Sequence, residues 1–457
     1  MLRLSICQTI KQIQMKLWDK GIATNQLVEQ FTVGLDREMD LYLAPFDVMG
    51  TMAHITMLQT IGLLEKNELD TLLAELKKIY KTAAAGQLKI EDDVEDIHSQ
   101  VELMLTRTLG DMGKKVHSGR SRNDQVLVDM KLYLRHEVRQ IFDLAASLYH
   151  TLIELSNKHK DDLMPGYTHL QVAMPSSFGL WFGAYAECLT DDLRMLSAAY
   201  KIVNQNPLGS AAGYGSSFPL NRTLTTKLLG FSDLNYNVVC AQMGRGKTEQ
   251  DLSFAMAAMA QTLSRMAMDM CMYNSQDLGF VHIPDEFTTG SSIMPHKKNP
   301  DVWELVRGKC NRIKALPTDL TLTISNLPSG YHRDLQLLKE QIIPAINDLK
   351  DCLRLAELML KNTEVRKDIM TAPKYQLAFS VEVVNKLVLS GVPFRDAYKQ
   401  VAFDIKDGRF VPETHINHTH EGSIGNLCND QIDRKFNEVA ATFDFAAVEA
   451  AIASLVK

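Results

Sequence analysis

The sequence contains no run of about 18 apolar residues, so we expect no membrane-spanning helix and no membrane partner. Its 7 cysteines are odd in number, scattered along 457 residues and never spaced as Cys-x-x-Cys. A disulfide framework or a zinc site is therefore not expected, and a cytoplasmic location is the simpler interpretation. Basic residues do not predominate, since 49 Lys and Arg stand against 55 Asp and Glu. A nucleic-acid partner is not expected, because a nucleic-acid surface is normally basic.

Residues 1–14 contain no acidic residue, as is typical of some targeting segments. They also lack the continuous apolar stretch and the small-residue cleavage site of a secretory signal. Met15 is an alternative start of translation. This segment therefore predicts neither a location nor a fold.

Glycine and proline are missing from residues 123–163, where apolar residues recur every three or four positions. This spacing predicts one long amphipathic helix. Similar patterns predict four further helices, over 176–204, 248–276, 300–325 and 333–370. Proline cannot donate a backbone hydrogen bond inside a helix, so Pro317 and Pro344 predict kinks or breaks.

No internal repeat or low-complexity linker divides the chain. Five long helical segments predict a mainly α fold with a long central bundle over residues 119–370. A smaller N-terminal helical domain is expected over 1–118, and a small C-terminal helical domain over 371–457.

A possible nucleotide site comes from residues 241–248, AQMGRGKT, which match a loose P-loop pattern with Ala in place of the first Gly. The β-branched pair Val238 and Val239 precedes the pattern and is strand-like. A P-loop needs a parallel sheet and a second strand that ends in an acidic residue, and neither is indicated. We therefore interpret the match as a chance agreement with the P-loop pattern.

Three stretches combine glycine, hydroxyl, amide, basic and histidine residues outside the apolar helical patterns. They are KVHSGRSRNDQ (115–125), PGYTHLQ (165–171) and TTGSSIMPHKKNP (288–300). Such loops gather backbone amides and cations around an anion. Taken singly, each is equally well a solvated loop or a helix cap, and a lone histidine is more often structural than catalytic.

Together, the three stretches resemble the signature regions of the fumarase/aspartase superfamily, and most closely those of its argininosuccinate lyase family. Four more stretches follow in family order: VEDIH (94–98), NPLGSAAGYG (206–215), LPSGYHRDLQLLKE (327–340) and GVPFRDAY (391–398). The resemblance implies a reversible β-elimination of argininosuccinate to arginine and fumarate, without metal or organic cofactor. It also implies a homotetramer whose active sites draw residues from three subunits.

The resemblance implies chemical roles for residues in the second and third stretches. Ser291 is the expected base, and Lys297 and Asn299 hold the carboxylate that takes up charge. His169 is the candidate acid, directly or through water, and Glu304 orients it. An unperturbed hydroxyl is far too weak a base, so the Ser291 alkoxide needs amides, cations and exclusion of water.

Seven further residues are expected, by the same resemblance, to bind substrate: Asp40, Arg122, Asn123, Thr168, Tyr331, Gln336 and Lys339. Without the resemblance, the last three read as a helix start with exposed polar side chains.

The sequence departs from the common family pattern in three places. WDKGI (18–22) replaces a WGGRF-like stretch, and Asp36 stands where relatives often have a substrate-contacting Ser. Gln250 stands at a usual Arg, whose charge Arg245 or Lys247 is a candidate to replace. These changes concern recognition of the amino-acid end of the substrate rather than the elimination.

Helix length predicts how the site is assembled. A helix of about 40 residues at about 1.5 Å each spans roughly 60 Å, and Asn123 and His169 lie at its opposite ends. One small-molecule site can contain both residues only if another copy of the chain supplies one of them.

Two rival functions remain open at this point. Another fumarate-releasing lyase, of the adenylosuccinate lyase or aspartase type, differs in substrate. The other is a non-catalytic structural relative, although the residues expected to act in catalysis are all present: Ser291, Lys297, Asn299, His169 and Glu304.

Overall fold

The computed structural model describes residues 25–457. The expectations for residues 1–14 and for WDKGI (18–22) lie outside this range. Within it, the fold is mainly α, as predicted, and the helices are α1 (Gln26–Val33), α2 (Asp36–Thr60), α3 (Lys66–Ala84), α4 (Ile97–Leu109), α5 (Asp111–Lys114), α6 (Arg122–Lys158), α7 (Phe178–Val203), α8 (Arg222–Leu228), α9 (Val238–Tyr273), α10 (Asp301–Ile313), α11 (Leu316–Ile324), α12 (Leu338–Lys361), α13 (Ser380–Leu389), α14 (Phe394–Lys406), α15 (Asn429–Ala440) and α16 (Phe445–Val456).

Short strands pair two by two in the described part of the chain. The antiparallel pairs are β1 (Leu163–Thr168) with β2 (Gln171–Ser177), β5 (Val281–His282) with β8 (Glu364–Val365), and β6 (Thr289–Gly290) with β7 (Lys298–Asn299). The parallel pair is β3 (Gln205–Asn206) with β4 (Asp233–Leu234). Each pair holds two loop segments together, and the described strands do not form a sheet of more than two strands.

The predicted long helix is confirmed as α6, 37 residues that extend about 55 Å. It begins at a capping box, in which the Ser121 side chain and the Asp124 side chain each bond the other residue's backbone N–H. The helix ends at Lys158, five residues earlier than the pattern predicted. It therefore carries Asn123 at one end and the β1–β2 hairpin beyond the other.

The predicted bundle shares one apolar core. Fully buried side chains from α6, α7, α9, α10 and α12 belong to it, namely Leu148, Leu193, Met259, Trp303 and Ile346. Burial of such side chains from water, rather than helix propensity, stabilises helices of this length against one another.

The start of α9 differs from the prediction. Val238 and Val239 are the first residues of the helix rather than a strand, because the Asn237 side chain accepts the backbone N–H groups of Val239 and Cys240. The helix begins ten residues before the predicted position 248 and is broken at Arg245 and Gly246. The P-loop pattern therefore lies within a helix and lacks the preceding strand that it requires.

The two prolines behave differently. Pro317 lies in the first turn of α11, where its missing N–H costs nothing, and the predicted 300–325 helix is broken before it. Pro344 lies inside α12, which continues through it to Lys361. The predicted 333–370 helix starts instead with a 3₁₀ turn, Arg333–Leu337.

Smaller cores flank the bundle. Val48, Leu72 and Ile97 belong to one between α2, α3 and α4, and Val384 and Val401 to another between α13 and α14. The last two helices return to the bundle, where Phe436 stacks on Tyr149 at 4.0 Å between ring centroids. The domain boundaries after 118 and after 370 stay a prediction.

One stretch of the described residues, Asn429–Val456, is long and apolar enough to cross a membrane by length and composition alone. It folds as two separate helices, α15 and α16, of 12 residues each. A helix of 12 residues is about 18 Å long, and a membrane core is about 30 Å thick. The stretch is thus weak evidence for a span.

Candidate active site

A pocket of about 120 Å³ lies where α2, α4 and the start of α6 meet the segment before α12. Six of the residues predicted to bind substrate line it: Asp40, Arg122, Asn123, Tyr331, Gln336 and Lys339. Sites for small molecules usually enclose about 300–1,000 Å³. The pocket is therefore smaller than a usual complete site for a small molecule.

A larger cavity of about 750 Å³ lies between α2, α6 and α16. Apolar residues such as Phe46, Tyr133 and Phe445 line much of it. None of the predicted site residues does, so size alone is a poor guide to the chemistry of this chain.

Lys339 is the electrostatic centre of the small pocket. Its Nζ lies 2.5 Å from a carboxylate oxygen of Asp36 and 2.5 Å from one of Asp40. Burial alone would lower the pKa of Lys339, but the charges of Asp40 and Asp36 raise it above its ordinary value. Burial raises the pKa of Asp36 to about 6, against the opposing charge of Lys339. A buried cation is thus held between two carboxylates.

Arg122 is held by acidic residues that sequence reasoning assigned no role. Its guanidinium donates to Glu95 at 2.9 Å and to Ser99 at 2.9 Å, and lies 3.1 Å from Asp96. Arg333 donates to the other oxygen of Glu95 at 2.9 Å. The only signal for Glu95 and Asp96 was the VEDIH stretch, whose two acids directly precede α4.

His98 belongs to a buried cluster behind this pocket. Its Nδ1 lies 2.7 Å from Asp47 and 3.3 Å from Asp129, and the three residues could hold a metal by position. Burial would lower the pKa of His98, but the hydrogen bond and the charge of Asp47 raise it to about 9. A charged imidazole donates from both nitrogens, so a metal ion would have to displace a proton from His98 in order to bind. In this structure His98 is ion-paired with the two carboxylates.

His169 lies in a strained turn beyond the other end of α6. The two-residue turn between β1 and β2 consists of His169 and Leu170, both at positive φ (54° and 59°). Glycine and asparagine prefer this geometry, and other residues at positive φ cost about 1–3 kcal/mol each. Thr168 ends β1 directly before the turn, and all three residues are exposed. Strain of this kind is concentrated at functional sites.

Ser291 already has two backbone donors on its hydroxyl oxygen. The N–H groups of Ile293 and Met294 lie 3.3 Å and 3.0 Å from Oγ. The loop is closed at its base by β6 and β7, which place Asn299 opposite Thr289. Donors fixed on an oxygen stabilise the negative charge that it acquires on losing its proton. The geometry therefore suits Ser291 as an alkoxide.

The pocket at the start of α6 does not include the site residues predicted in the other two stretches. Thr168, His169, Ser291, Lys297 and Asn299 are not among the residues that line the pocket at the start of α6. In the described part of the chain, Glu304 makes no ion pair with His169, and both side chains are exposed. Their pairing, like the roles of the seven substrate-binding residues, stays a prediction.

The stretch around Gln250 also bears on the missing family Arg. Gln250 donates to the hydroxyl of Thr321 at 2.6 Å, and Lys247 is exposed beside Asp251 at 3.2 Å. Of the two candidates for the missing charge, Arg245 is the buried one, and its guanidinium donates to the backbone carbonyl of Leu335, next to the pocket residue Gln336.

Comparison with known proteins identifies a lyase family and relatives of one particular enzyme within it. A family model described as a lyase matches residues 19–315. Argininosuccinate lyase of Parabacteroides distasonis is 61% identical, over 96% of this chain and 99% of that protein. The same enzyme of Bacteroides thetaiotaomicron is 60% identical over 95% and 98%. That of Thermotoga neapolitana is 38% identical over 85% and 97%.

Solved structures of more distant proteins share the fold. An EDDS lyase variant with bound fumarate has a TM-score of 0.77 at 20% identity, over 95% of each chain. Class II fumarase from Schistosoma mansoni has a TM-score of 0.69 at 16% identity, over 91% of this chain and 95% of that one. The chain therefore belongs to the fumarase/aspartase superfamily of lyases, and within it to the argininosuccinate lyase family.

Proposed function

We propose that this chain catalyses the reversible β-elimination of argininosuccinate to arginine and fumarate in the cytoplasm, as part of arginine biosynthesis. The near-full-length identity to argininosuccinate lyases carries the proposal, and the hydroxyl of Ser291, held by two amides, supports its chemistry. No metal, organic cofactor, nucleic acid or membrane takes part in it.

In the proposed reaction, Ser291 removes a proton from the carbon next to a carboxylate of the succinyl group. Electron density moves onto that carboxylate, which Lys297 and Asn299 bind more strongly as its charge grows. The carbon–nitrogen bond then breaks, and its electrons leave with the guanidino group. His169, oriented by Glu304, supplies the proton to that group.

The pocket at Lys339 receives the arginine end of the substrate. Carboxylates and cations alternate there, so it offers partners for both charges of an amino acid. Arg122 and Asn123 bind a carboxylate near the N-terminus of α6, where backbone N–H groups also favour an anion. Asp40, Gln336 and Tyr331 complete the pocket, and Thr168 approaches from another copy.

We propose that the chain acts as a homotetramer. Large apolar side chains on the bundle helices are exposed in one chain, among them Leu305 at 65% and Leu322 at 69%. Apolar surface of this kind is normally buried in an interface. Because α6 separates Asn123 from the hairpin of His169 by about 55 Å, other copies must complete each site.

A substrate panel tests the proposed function. Purified protein should release fumarate, followed by ultraviolet absorbance, from argininosuccinate and not from adenylosuccinate or aspartate. Release from adenylosuccinate or aspartate alone would reassign the chain to the rival type of lyase. No release from any of the three by a folded oligomer would favour the non-catalytic relative.

Replacement of Asp36 by asparagine should stabilise the protein and weaken binding of arginine. The pKa of Asp36 is raised from 3.8 to about 6, so its stabilising contribution is fully present below pH 3.8 and is lost as pH rises through 6. Removing its charge should therefore raise the free energy of unfolding at pH 8 by an amount on the order of 1–3 kcal/mol, seen as a higher thermal midpoint, and should raise it by a smaller amount at pH 5.

The same variant should bind arginine less tightly in the reverse reaction at pH 8, because the substrate ammonium loses a carboxylate partner. The KM for arginine is expected to rise about tenfold, the equivalent of about 1.4 kcal/mol. Asp319→Asn, on the exposed side of α11, is the control. An unchanged midpoint and an unchanged KM would show that Asp36 is neither strained nor in contact with substrate.

A further inference from the structure

The longest bundle helix after α6 is broken at one point. In α9, Arg245 has an extended backbone (φ −66°, ψ 127°) and Gly246 has a positive φ of 85°. Helices are normally kinked at proline, at glycine or where a group is inserted, and no proline lies in α9. Gly246 therefore permits the break, and the contacts of these two residues hold it.

Glu249 stabilises the break from the C-terminal side. One of its carboxylate oxygens accepts the backbone N–H of Gly246 at 2.7 Å, as the third residue of a capping box does. The carboxylate also forms an ion pair with the Arg245 guanidinium, and both side chains are almost fully buried. A buried ion pair contributes little net stability compared with an apolar pair. A role other than stability therefore better explains the buried pair of Arg245 and Glu249.

The guanidinium of Arg245 also reaches the segment that carries the substrate pocket. Its Nη2 donates to the backbone carbonyl oxygen of Leu335 at 3.1 Å. Leu335 lies in the 3₁₀ turn Arg333–Leu337, next to Gln336, and between Tyr331 and Lys339 in sequence. Arg245 itself is not among the residues that line the pocket.

Gly246 packs against the same segment. A Cβ added to Gly246 would lie 2.5 Å from Ile324, 3.3 Å from Leu338 and 3.4 Å from Leu335. The positive φ and the close approach of Ile324, in α11, favour glycine at this position, and Leu335 of the turn lies at van der Waals distance. Two neighbouring residues thus contact the turn, one by a hydrogen bond and one by close packing.

We propose that the break in α9 is a positioning element for the arginine end of the substrate pocket, an inference that rests on the proposed function. Arg245 fixes the carbonyl of Leu335 and thereby the turn that presents Tyr331 and Gln336. The stretch GRGKTEQD, which resembles a nucleotide loop, instead sets the geometry of an amino-acid site. Arg245 is a positioning residue, because it acts through Leu335 rather than on the substrate.

The test compares three variants in the reverse reaction, where arginine and fumarate are separate substrates. Arg245→Met with Glu249→Met replaces the buried ion pair by apolar side chains of similar length, which removes the charge without leaving an unpaired partner. Arg245→Lys keeps the charge but loses the fork of donors. Arg265→Met removes an exposed arginine from the same helix, 20 positions further along, and is the matched control.

We expect the double variant to raise the KM for arginine at least tenfold and the KM for fumarate less than twofold. Arg245→Lys should restore part of the affinity for arginine, and Arg265→Met should behave as wild type. Thermal midpoints and oligomer mass confirm that the compared proteins are folded. A purely structural role would lower the active fraction and hence the apparent kcat, without separating the two KM values.

An unchanged KM for arginine in a folded double variant would overturn the positioning role and leave the proposed function intact. Equal rises in the two KM values would overturn it as well, because the effect would not be confined to one end of the site. Failure of the wild type to join arginine and fumarate would overturn the proposed function itself, and this inference with it.

Discussion

Replacement of Ser291 by alanine is expected to lower kcat for fumarate release by about 1,000-fold or more, with KM changed only a few-fold. A positioned base contributes about 10²–10⁴-fold, and a loop that stabilises its alkoxide has no other strong base to offer. The hydroxyl of Ser291 accepts two backbone N–H groups, whereas a methyl group leaves both donors idle. Initial rates from argininosuccinate, on proteins of equal oligomer mass, measure the effect.

Ser292→Ala is the matched control, because it removes a hydroxyl from the same loop without touching the proposed base. Its kcat should stay within about tenfold of the wild-type value. If Ser291→Ala kept more than a tenth of the wild-type kcat, the base would have to be another residue. His169 would then be the next residue to replace.

Mixing two inactive variants should restore activity. Asn123→Ala and His169→Ala are each expected to retain about 1% of wild-type activity or less, since each removes one part of every site. Asn123 lies at the start of α6 and His169 lies beyond its other end, so the proposed site takes them from different copies and mixed oligomers should contain intact sites. Equimolar mixtures should recover up to about a quarter of the wild-type activity.

The measurement requires subunit exchange, by joint unfolding and refolding or by prolonged incubation, with mixed oligomers verified by native mass spectrometry. Each variant treated alone is the control and should stay inactive. Mixed oligomers without recovered activity would place both residues of a site on one chain. That result would contradict the assembly of the site from several copies.

The sequence predicted the bundle well because its cause is local. Residues 123–163 lack glycine and proline and repeat apolar side chains at helical spacing, and the structure has α6 over Arg122–Lys158. The helix end was less well predicted, because the chain after Lys158 bonds to a distant segment: the backbone N–H of Gly179 donates to the carbonyl oxygen of His159.

The break in α9 was not predicted, because only part of its cause is local: Glu249 caps Gly246 within one turn, whereas the packing of Gly246 involves distant residues. Val238 and Val239 favour a strand, but the side chain of Asn237 caps a helix there. The kink depends on Gly246 packing against Ile324 and Leu338, which lie 78 and more positions further along the chain. Periodicity within one segment carries no record of such contacts.

The candidate site was predicted in composition rather than in geometry. The resemblance to the family in sequence identified Asp40 and Lys339 as candidates. It did not show their contact, which joins positions 299 apart in sequence. The sequence did not single out Arg333, Glu95 or Asp96, because each looks like an ordinary surface charge. Folding brings Glu95 and Asp96 beside Arg122, and Arg333 beside Glu95. Charge pairs of this kind become visible only in three dimensions.

The most direct test of the central claim is a crystal structure of the Ser291→Ala variant with argininosuccinate bound. The arginine end of the substrate should contact Asp40, Gln336 and Lys339 of one copy. The succinyl end should lie between His169 and the 288–299 loop, both contributed by other copies. A ligand held by one chain alone, or seated in the 750 Å³ cavity between α2, α6 and α16, would contradict this arrangement.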